Sequence, residues 1–205
     1  MRCLILSSCV VILMSCSSAY KHLQATAGDA GTLQKFKPAF SVALYKAGVD
    51  VAGNHLSGLL MIKRMPDSSM RLVFSNEIGF KFFDFEFSPN GEFKVYSIIK
   101  QMNKRALIKT LRKDFDLVMM KGIESSNALI RKDEGLVYYT YPQAKGYNHY
   151  ITNSSGDELV RMERSSKRKP VMEAIMKNYI NGIPDTIGIT HKNFNFTIGL
   201  KRLKR

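Results

Sequence analysis

Two pairs of carboxylates, four scattered histidines and one cysteine are the residues whose types and spacing could do chemistry. Asp84 and Glu86 stand two apart in a run of phenylalanines, so on a strand they share one face while Phe83, Phe85 and Phe87 share the other. Paired carboxylates serve acid–base chemistry when their surroundings split the two pKa values. No nucleophile or metal ligand stands near this pair in sequence, so it reads as a solvated sheet face, and Asp114 and Asp116 read the same way on a helix. His22, His55, His149 and His191 each lack a ligand partner at three to five residues, so no metal site is legible. The chain has no Gly-rich phosphate loop and no serine elbow. The expectation is a protein that is not an enzyme and uses no cofactor.

The cysteines are Cys3, Cys9 and Cys16. Arg2, an apolar run over residues 3–14 and an abrupt end at Ser15-Cys16 form a secretory leader. The run is shorter than the roughly 20 apolar residues of a membrane-spanning helix, and Ser7 and Ser8 interrupt it. Leu13-Met14-Ser15-Cys16 resembles the lipobox of bacterial lipoprotein precursors. That resemblance implies cleavage before Cys16, a diacylglyceryl group on its sulfur and acylation of the freed amine. Each buried methylene of such an anchor contributes about 0.8 kcal/mol. Ser17, not an aspartate, follows the cysteine, which by similarity to enterobacterial sorting signals implies the outer membrane, periplasmic face, in preference to the inner membrane. The other reading is an ordinary leader cut near Ala19. With the leader gone Cys16 is the single cysteine, and no disulfide can form within one chain.

The formal charge is +14, which favours anionic surfaces. The densest basic runs are Lys167-Arg168-Lys169 and the tail from Lys201 to Arg205. Export argues against a nucleic-acid partner. Two readings remain, anionic lipid headgroups beside the anchor or a solvated surface that keeps the protein soluble.

These residues must be positioned by a domain that follows a short tether. Residues 16–38 are rich in Ala, Gly, Ser, Thr, Gln and Lys with little periodicity, the composition of a flexible tether, and one domain spans 39–205. Strand-like runs follow at 40–45, 55–63, 71–77, 80–87 and 93–96, with Pro66-Asp67-Ser68 and Ser88-Pro89-Asn90-Gly91 supplying turns. Connections this short require antiparallel pairing. The period then changes: Ile108, Leu111, Phe115 and Val118 recur at three and four, with Lys104, Lys109, Arg112 and Lys113 opposite, predicting an amphipathic helix over about 97–120 ended by Gly122. Such a helix is about 35 Å long. Strand patterns return at 128–131, 136–141, 146–152, 158–163, 171–179, 186–190 and 194–200. The stretch 171–178 also fits a short helix. In the last run Phe194, Phe196, Ile198 and Leu200 share one face.

The fold class is therefore mainly β (α+β), a large curved antiparallel sheet forming an incomplete barrel packed on one long helix. A sheet of this size curls, and covering it with a single amphipathic helix leaves a concave apolar space. The layout resembles the LolA/LolB superfamily of lipoprotein carriers. Gly58-Leu59-Leu60-Met61-Ile62-Lys63 through Phe93-Lys94-Val95 into the helix carries one part of the likeness. The ending Tyr179-Ile180-Asn181-Gly182-Ile183-Pro184-Asp185-Thr186-Ile187 carries the other. The resemblance implies a non-catalytic, LolB-like lipoprotein that binds lipid or lipidated protein in an apolar cavity. The alternative is a structural or assembly lipoprotein docking another envelope protein on its sheet. Phe80, Phe82, Phe83, Phe85, Phe87 and Phe93 crowd one hairpin on both faces, so one face is core and the other is either a pocket or a second layer of core. Candidate cavity residues are these six with Ile108, Leu111, Phe115, Phe194, Phe196 and Ile198.

Overall fold

Short runs of branched and aromatic residues divided by turn residues fold here into two antiparallel meanders on either side of a helix. The computed structural model describes residues 18–51, 53–124 and 128–203. The leader, the lipobox and Cys16 lie outside the described residues. After the two-residue β1 (Gln24–Ala25) comes the first meander: β2 (Val42–Val51), β3 (Asn54–Arg64), β4 (Met70–Ser75), β5 (Lys81–Phe87) and β6 (Phe93–Ile98). The helix α1 (Arg105–Val118) leads to the second: β7 (Leu129–Asp133), β8 (Leu136–Gln143), β9 (Gly146–Asn153), β10 (Leu159–Ser165), β11 (Pro170–Ile180), β12 (Ile183–His191) and β13 (Phe196–Arg202).

Among the described residues thirteen strands form one sheet in the order β1-β7-β8-β9-β10-β11-β12-β13-β2-β3-β4-β5-β6. It does not close, because β1 and β6 remain edges. Alternation sets the inner face: on β2 Ala43, Tyr45, Ala47, Val49 and Val51 are buried, and the residues between them are more exposed. The chain leaves the sheet at edge strand β6 and returns at β7, next to the other edge. The connection must therefore cross the sheet, and α1 does so with Leu111, Asp114, Phe115, Leu117 and Val118 buried against it.

The helix is shorter than residues 97–120. Ser97 and Ile98 still belong to β6, paired with Asp84 and Phe83, and α1 holds 14 residues, or about 21 Å. Its end precedes Gly122: Met120 and Gly122 both have positive φ, 50° and 80°, and turn the chain away. The 171–178 stretch is strand, within β11. Part of the expected tether is built into the domain. β1 pairs with β7, and Ala30–Phe36 is a 3-10 helix whose N-cap Asp29 accepts a hydrogen bond from the Gly31 N–H at 2.8 Å. Leu33 and Phe36, three apart, fall on one face of a helix with three residues per turn and are both buried.

In an antiparallel meander successive turns alternate between two rims. The β2–β3, β4–β5, β8–β9, β10–β11 and β12–β13 turns and the β6–α1 loop lie on one rim, and the remaining turns lie on the other. Charge divides with them. The first rim carries Lys100, Lys104, Lys145, Lys167, Arg168, Lys169 and Lys192, with Glu77 as the acid among its described turn residues. The opposite hairpin turns carry Asp67, Glu92, Glu134, Asp157 and Glu158, while Lys35 and Lys37 of the 3-10 segment and Lys121 after α1 add positive charge on that side. The 3-10 helix sits on the acidic rim, where the Tyr179 hydroxyl donates to Phe36 O at 2.9 Å and the Ala39 N–H donates to Gly182 O at 2.9 Å.

Candidate apolar pocket and buried polar clusters

A β-bulge shapes an apolar opening at one end of the sheet. Phe74 pairs with Phe83 and Ser75 with Lys81, so Phe82 is the extra residue on β5. A bulge turns two neighbouring side chains toward one partner. Both rings accordingly meet Phe74, at centroid distances of 4.7 Å for Phe82 and 5.6 Å for Phe83. Phe80 sets its edge against Phe82 at 6.0 Å. With Val51 and Leu56 from the β2–β3 hairpin, Ile99 and Met102 from the loop before α1, and Leu107 on its first turn, these rings line a cavity of about 480 Å³. It opens on the basic rim, where Lys100 and Lys104 stand at its edge. Ile78, 90% exposed, and Phe80, 57% exposed, extend its apolar surface to the β4–β5 turn.

Of the residues expected to line a cavity between helix and sheet, Phe80 and Phe82 line this one. Phe83, Phe85, Leu111 and Phe115 are fully buried core: Phe83 stacks on Phe85 at 4.4 Å, and Phe115 approaches Phe83 at 6.3 Å. The space between α1 and this part of the sheet is filled by them. Phe87 is buried against Phe93 at 4.9 Å, and the Arg112 guanidinium lies 5.4 Å from the Phe93 ring. Phe196 and Ile198 are core on β13. Phe194 precedes that strand, half exposed in the turn, and stacks on Phe196 at 5.7 Å. Ile108 is half-buried on α1. A larger cleft of about 680 Å³ opens on the acidic rim, lined mainly by polar groups such as Gln24, Thr26, Asp29, Ser154 and Ser155. It lacks the walls an acyl chain needs.

Three of the four carboxylates are not solvated. Asp84 and Glu86 are buried on the outer face of β5. Arg71 holds both, pairing with Asp84 and lying 3.3 Å from Glu86 Oε2, while its guanidinium covers the Tyr96 ring at 3.5 Å. Burial disfavours the charged form of Asp84, but hydrogen bonds from Arg71 and Lys81 outweigh it and keep this carboxyl below the usual range. Asp114 is completely buried beneath α1, with Oδ2 2.8 Å from His191 Nε2 and Oδ1 2.8 Å from Arg164 Nη1. Arg164 and His191 share one row of the inner face, since both pair across to Met172. Asp116 is half-buried, and burial pushes its carboxyl up against the opposing pull of Lys121 and Arg112.

A third cluster lies on the outer face of β8–β10. His149 Nδ1 is 2.9 Å from Thr140 Oγ1, its Nε2 is 2.9 Å from Ser165 Oγ, and Tyr20 stacks on the ring at 4.4 Å. The Tyr20 hydroxyl donates to Glu163 at 2.6 Å, and Arg161 donates to the same carboxylate at 2.7 Å. Burial pushes His149 down to about 4, against the pull of Glu163. Both Ser165 and His149 lie buried beneath Tyr20. The cluster fastens the N-terminal segment to the sheet. Its continuation is the Ala19 N–H, which donates to Arg168 O at 2.7 Å, and Ser18 Oγ, which donates to Lys167 O at 3.3 Å.

Among the described residues the architecture is an incomplete antiparallel barrel crossed by one α-helix, with an apolar pocket at one rim. Solved structures align with the chain at low identity. The LolA superfamily protein from Nitrosomonas europaea aligns with a TM-score of 0.50 and 8% identity over 87% of this chain and 93% of that one. A putative outer membrane lipoprotein-sorting protein domain from Vibrio parahaemolyticus gives 0.49 and 12% over 85% and 90%. A DUF1329 family protein from Desulfovibrio piger gives 0.48 and 10% over 85% and 88%. None of the protein-family models and none of the curated proteins match the chain. The Nitrosomonas likeness extends to this chain a LolA-type fold, and the fold alone.

Proposed function

We propose that this chain is a non-catalytic cell-envelope lipoprotein that receives an acyl chain, of a lipid or of a lipidated protein, in the pocket lined by Phe80, Phe82, Val51, Leu56, Met102 and Leu107. In this reading Cys16 carries the anchor, in the outer membrane on its periplasmic face. The observation that carries it is the position of the pocket. Its mouth opens on the same rim where Ser18, two residues after Cys16, lies against the β10–β11 turn. Two residues reach at most about 7 Å, so an anchored molecule presents this rim to the bilayer. The volume suits an apolar ligand, and each methylene buried contributes about 0.8 kcal/mol.

Titration of the full chain carrying Cys16→Ser with a fluorescent fatty acid tests the proposal. Saturable binding that Phe82→Glu weakens at least about tenfold supports it. A folded protein that retains no probe, or a Phe82→Glu variant that binds equally well, removes it. The docking alternative is favoured by edge strand β6, where Val95 is 39% and Tyr96 55% exposed and one side of the backbone has no neighbouring strand. Photo-cross-linking from Tyr96 in cells would then give one protein partner in place of lipid.

A further inference from the structure

Cations converge at a second place on the basic rim. Lys109 and Lys113 of α1, Lys145 of the β8–β9 turn and Arg164 of β10 line a cavity of about 310 Å³ beside Thr110, Ser165 and Ser166, the Ser165 hydroxyl being held by His149 and that of Ser166 by its own turn. Asp114 pairs with Arg164 from beneath the helix. Among the described residues no carboxylate lies within ion-pairing distance of Lys109, Lys113 or Lys145. Lys109 and Lys113 stand at i and i+4 on one helix, where like charges repel. Lys113 is half-buried, and its ammonium is pushed down by burial and then by Arg164, Lys109 and Lys145. Such an arrangement costs stability when empty, and an anion offsets the cost. The cavity shares no lining residue with the apolar pocket. Ser166 also opens the β10–β11 turn, whose Lys167, Arg168 and Lys169 are exposed and whose backbone holds Ser18 and Ala19.

The geometry points to this cavity as a site for the phosphate of an anionic phospholipid headgroup, bound while the basic rim rests on the bilayer. The chemistry is that of a phosphate oxyanion held by several point charges. The acidic turns of the opposite rim orient the molecule in the same sense, since they are repelled by an anionic surface. The inference deepens the membrane reading but does not need the acyl pocket, and an unacylated chain tests it apart from the anchor.

The experiment is flotation of the full chain bearing Cys16→Ser with phosphatidylcholine vesicles, with and without phosphatidylglycerol, at about 0.1 M salt, where the screening length is about 10 Å. The expected result is binding that requires phosphatidylglycerol and that Lys109→Gln/Lys113→Gln/Lys145→Gln weakens at least about tenfold. The equally charged control Lys46→Gln/Lys63→Gln/Lys177→Gln is expected to lose less than about twofold. The cavity variant should melt no lower than the parent, because relief of like-charge repulsion excludes unfolding as the cause. Equal loss in both triple variants would mean diffuse attraction and overturn the site. Inorganic phosphate that raises the melting temperature of the parent but not of the cavity variant, with vesicles binding neither, would make the ligand a soluble phosphate and overturn the lipid assignment.

Discussion

Asp114 Oδ2 lies 2.8 Å from His191 Nε2, joining the middle of α1 to the last residue of β12 across 77 positions of sequence. With Arg164 on the other oxygen at 2.8 Å, this carboxylate fixes where the helix rests on the sheet. Removing one partner of a buried ionic cluster leaves the others uncompensated. Asp114→Ala is therefore expected to lower the unfolding free energy by about 3–5 kcal/mol in urea titration. Asp114→Asn keeps an acceptor for His191 and should lose less. Equal losses would show that charge toward Arg164 is the whole effect.

The phenylalanines of one hairpin should separate sharply in a stability assay. Phe85 is fully buried between Phe83 and Phe93, so Phe85→Ala should cost about 3–5 kcal/mol. Phe80 is more than half exposed at the pocket mouth, and Phe80→Ala should stay within about 0.5 kcal/mol. A reversed order would mean that the core lies elsewhere.

The Tyr20–His149 contact predicts a pH dependence. His149 titrates near 4 in the folded chain against an ordinary 6.5, so between those values the unfolded chain binds the extra proton. Stability from this group is complete above about 6.5 and falls as pH drops toward 4, by up to about 3 kcal/mol. Urea midpoints at pH 7, 5.5 and 4.5 should show this slope in the parent and a flatter one in His149→Gln. Parallel slopes would show that other groups carry the acid sensitivity.

Gly58 marks a place where two strands leave no room for a side chain. A Cβ there would stand 2.0 Å from Ser75 O, the register point at which β4 breaks its pairing with β5 beside Phe82. Gly58→Ala should therefore destabilise by about 1–3 kcal/mol and weaken fatty-acid binding along with it. An alanine variant with the parent's stability and affinity would show that this end of β3 yields freely.

The strand runs, their antiparallel connections and the central helix were legible because each leaves a local trace. Alternation marks β13 from Phe196 onward, and Asn90-Gly91 marks the β5–β6 turn, where Gly91 has φ 86°. The start of α1 was not legible, because Ser97 and Ile98 are held by pairing with β5 and carry no breaker. Leu33 and Phe36 were hidden in a polar stretch by a period of three, which a search for periods of two and 3.6 passes over. Of the site, the aromatic surplus was readable but the inward turn of Phe82 was not, since a bulge is a property of two strands in register. Asp114, Arg164 and His191 come from three elements and share no local spacing. Sorting the turns to alternate rims, by contrast, needs only the strand order, and the basic and acidic turns separate once that is done.

The seam between β13 and β2 has a kinetic consequence. Each meander is built from hairpins, which form within about 1–10 μs, whereas the pairing that zips Thr197 to Asp50 joins positions 147 apart. Closing so long a loop precedes any reward from its contacts, so the two halves should assemble first and fuse along Val49 and Ile198 last. A permuted chain that begins at β7, links Arg202 to Val42 and ends after α1 would turn that seam into one more hairpin, and stopped-flow refolding should find it the faster folder.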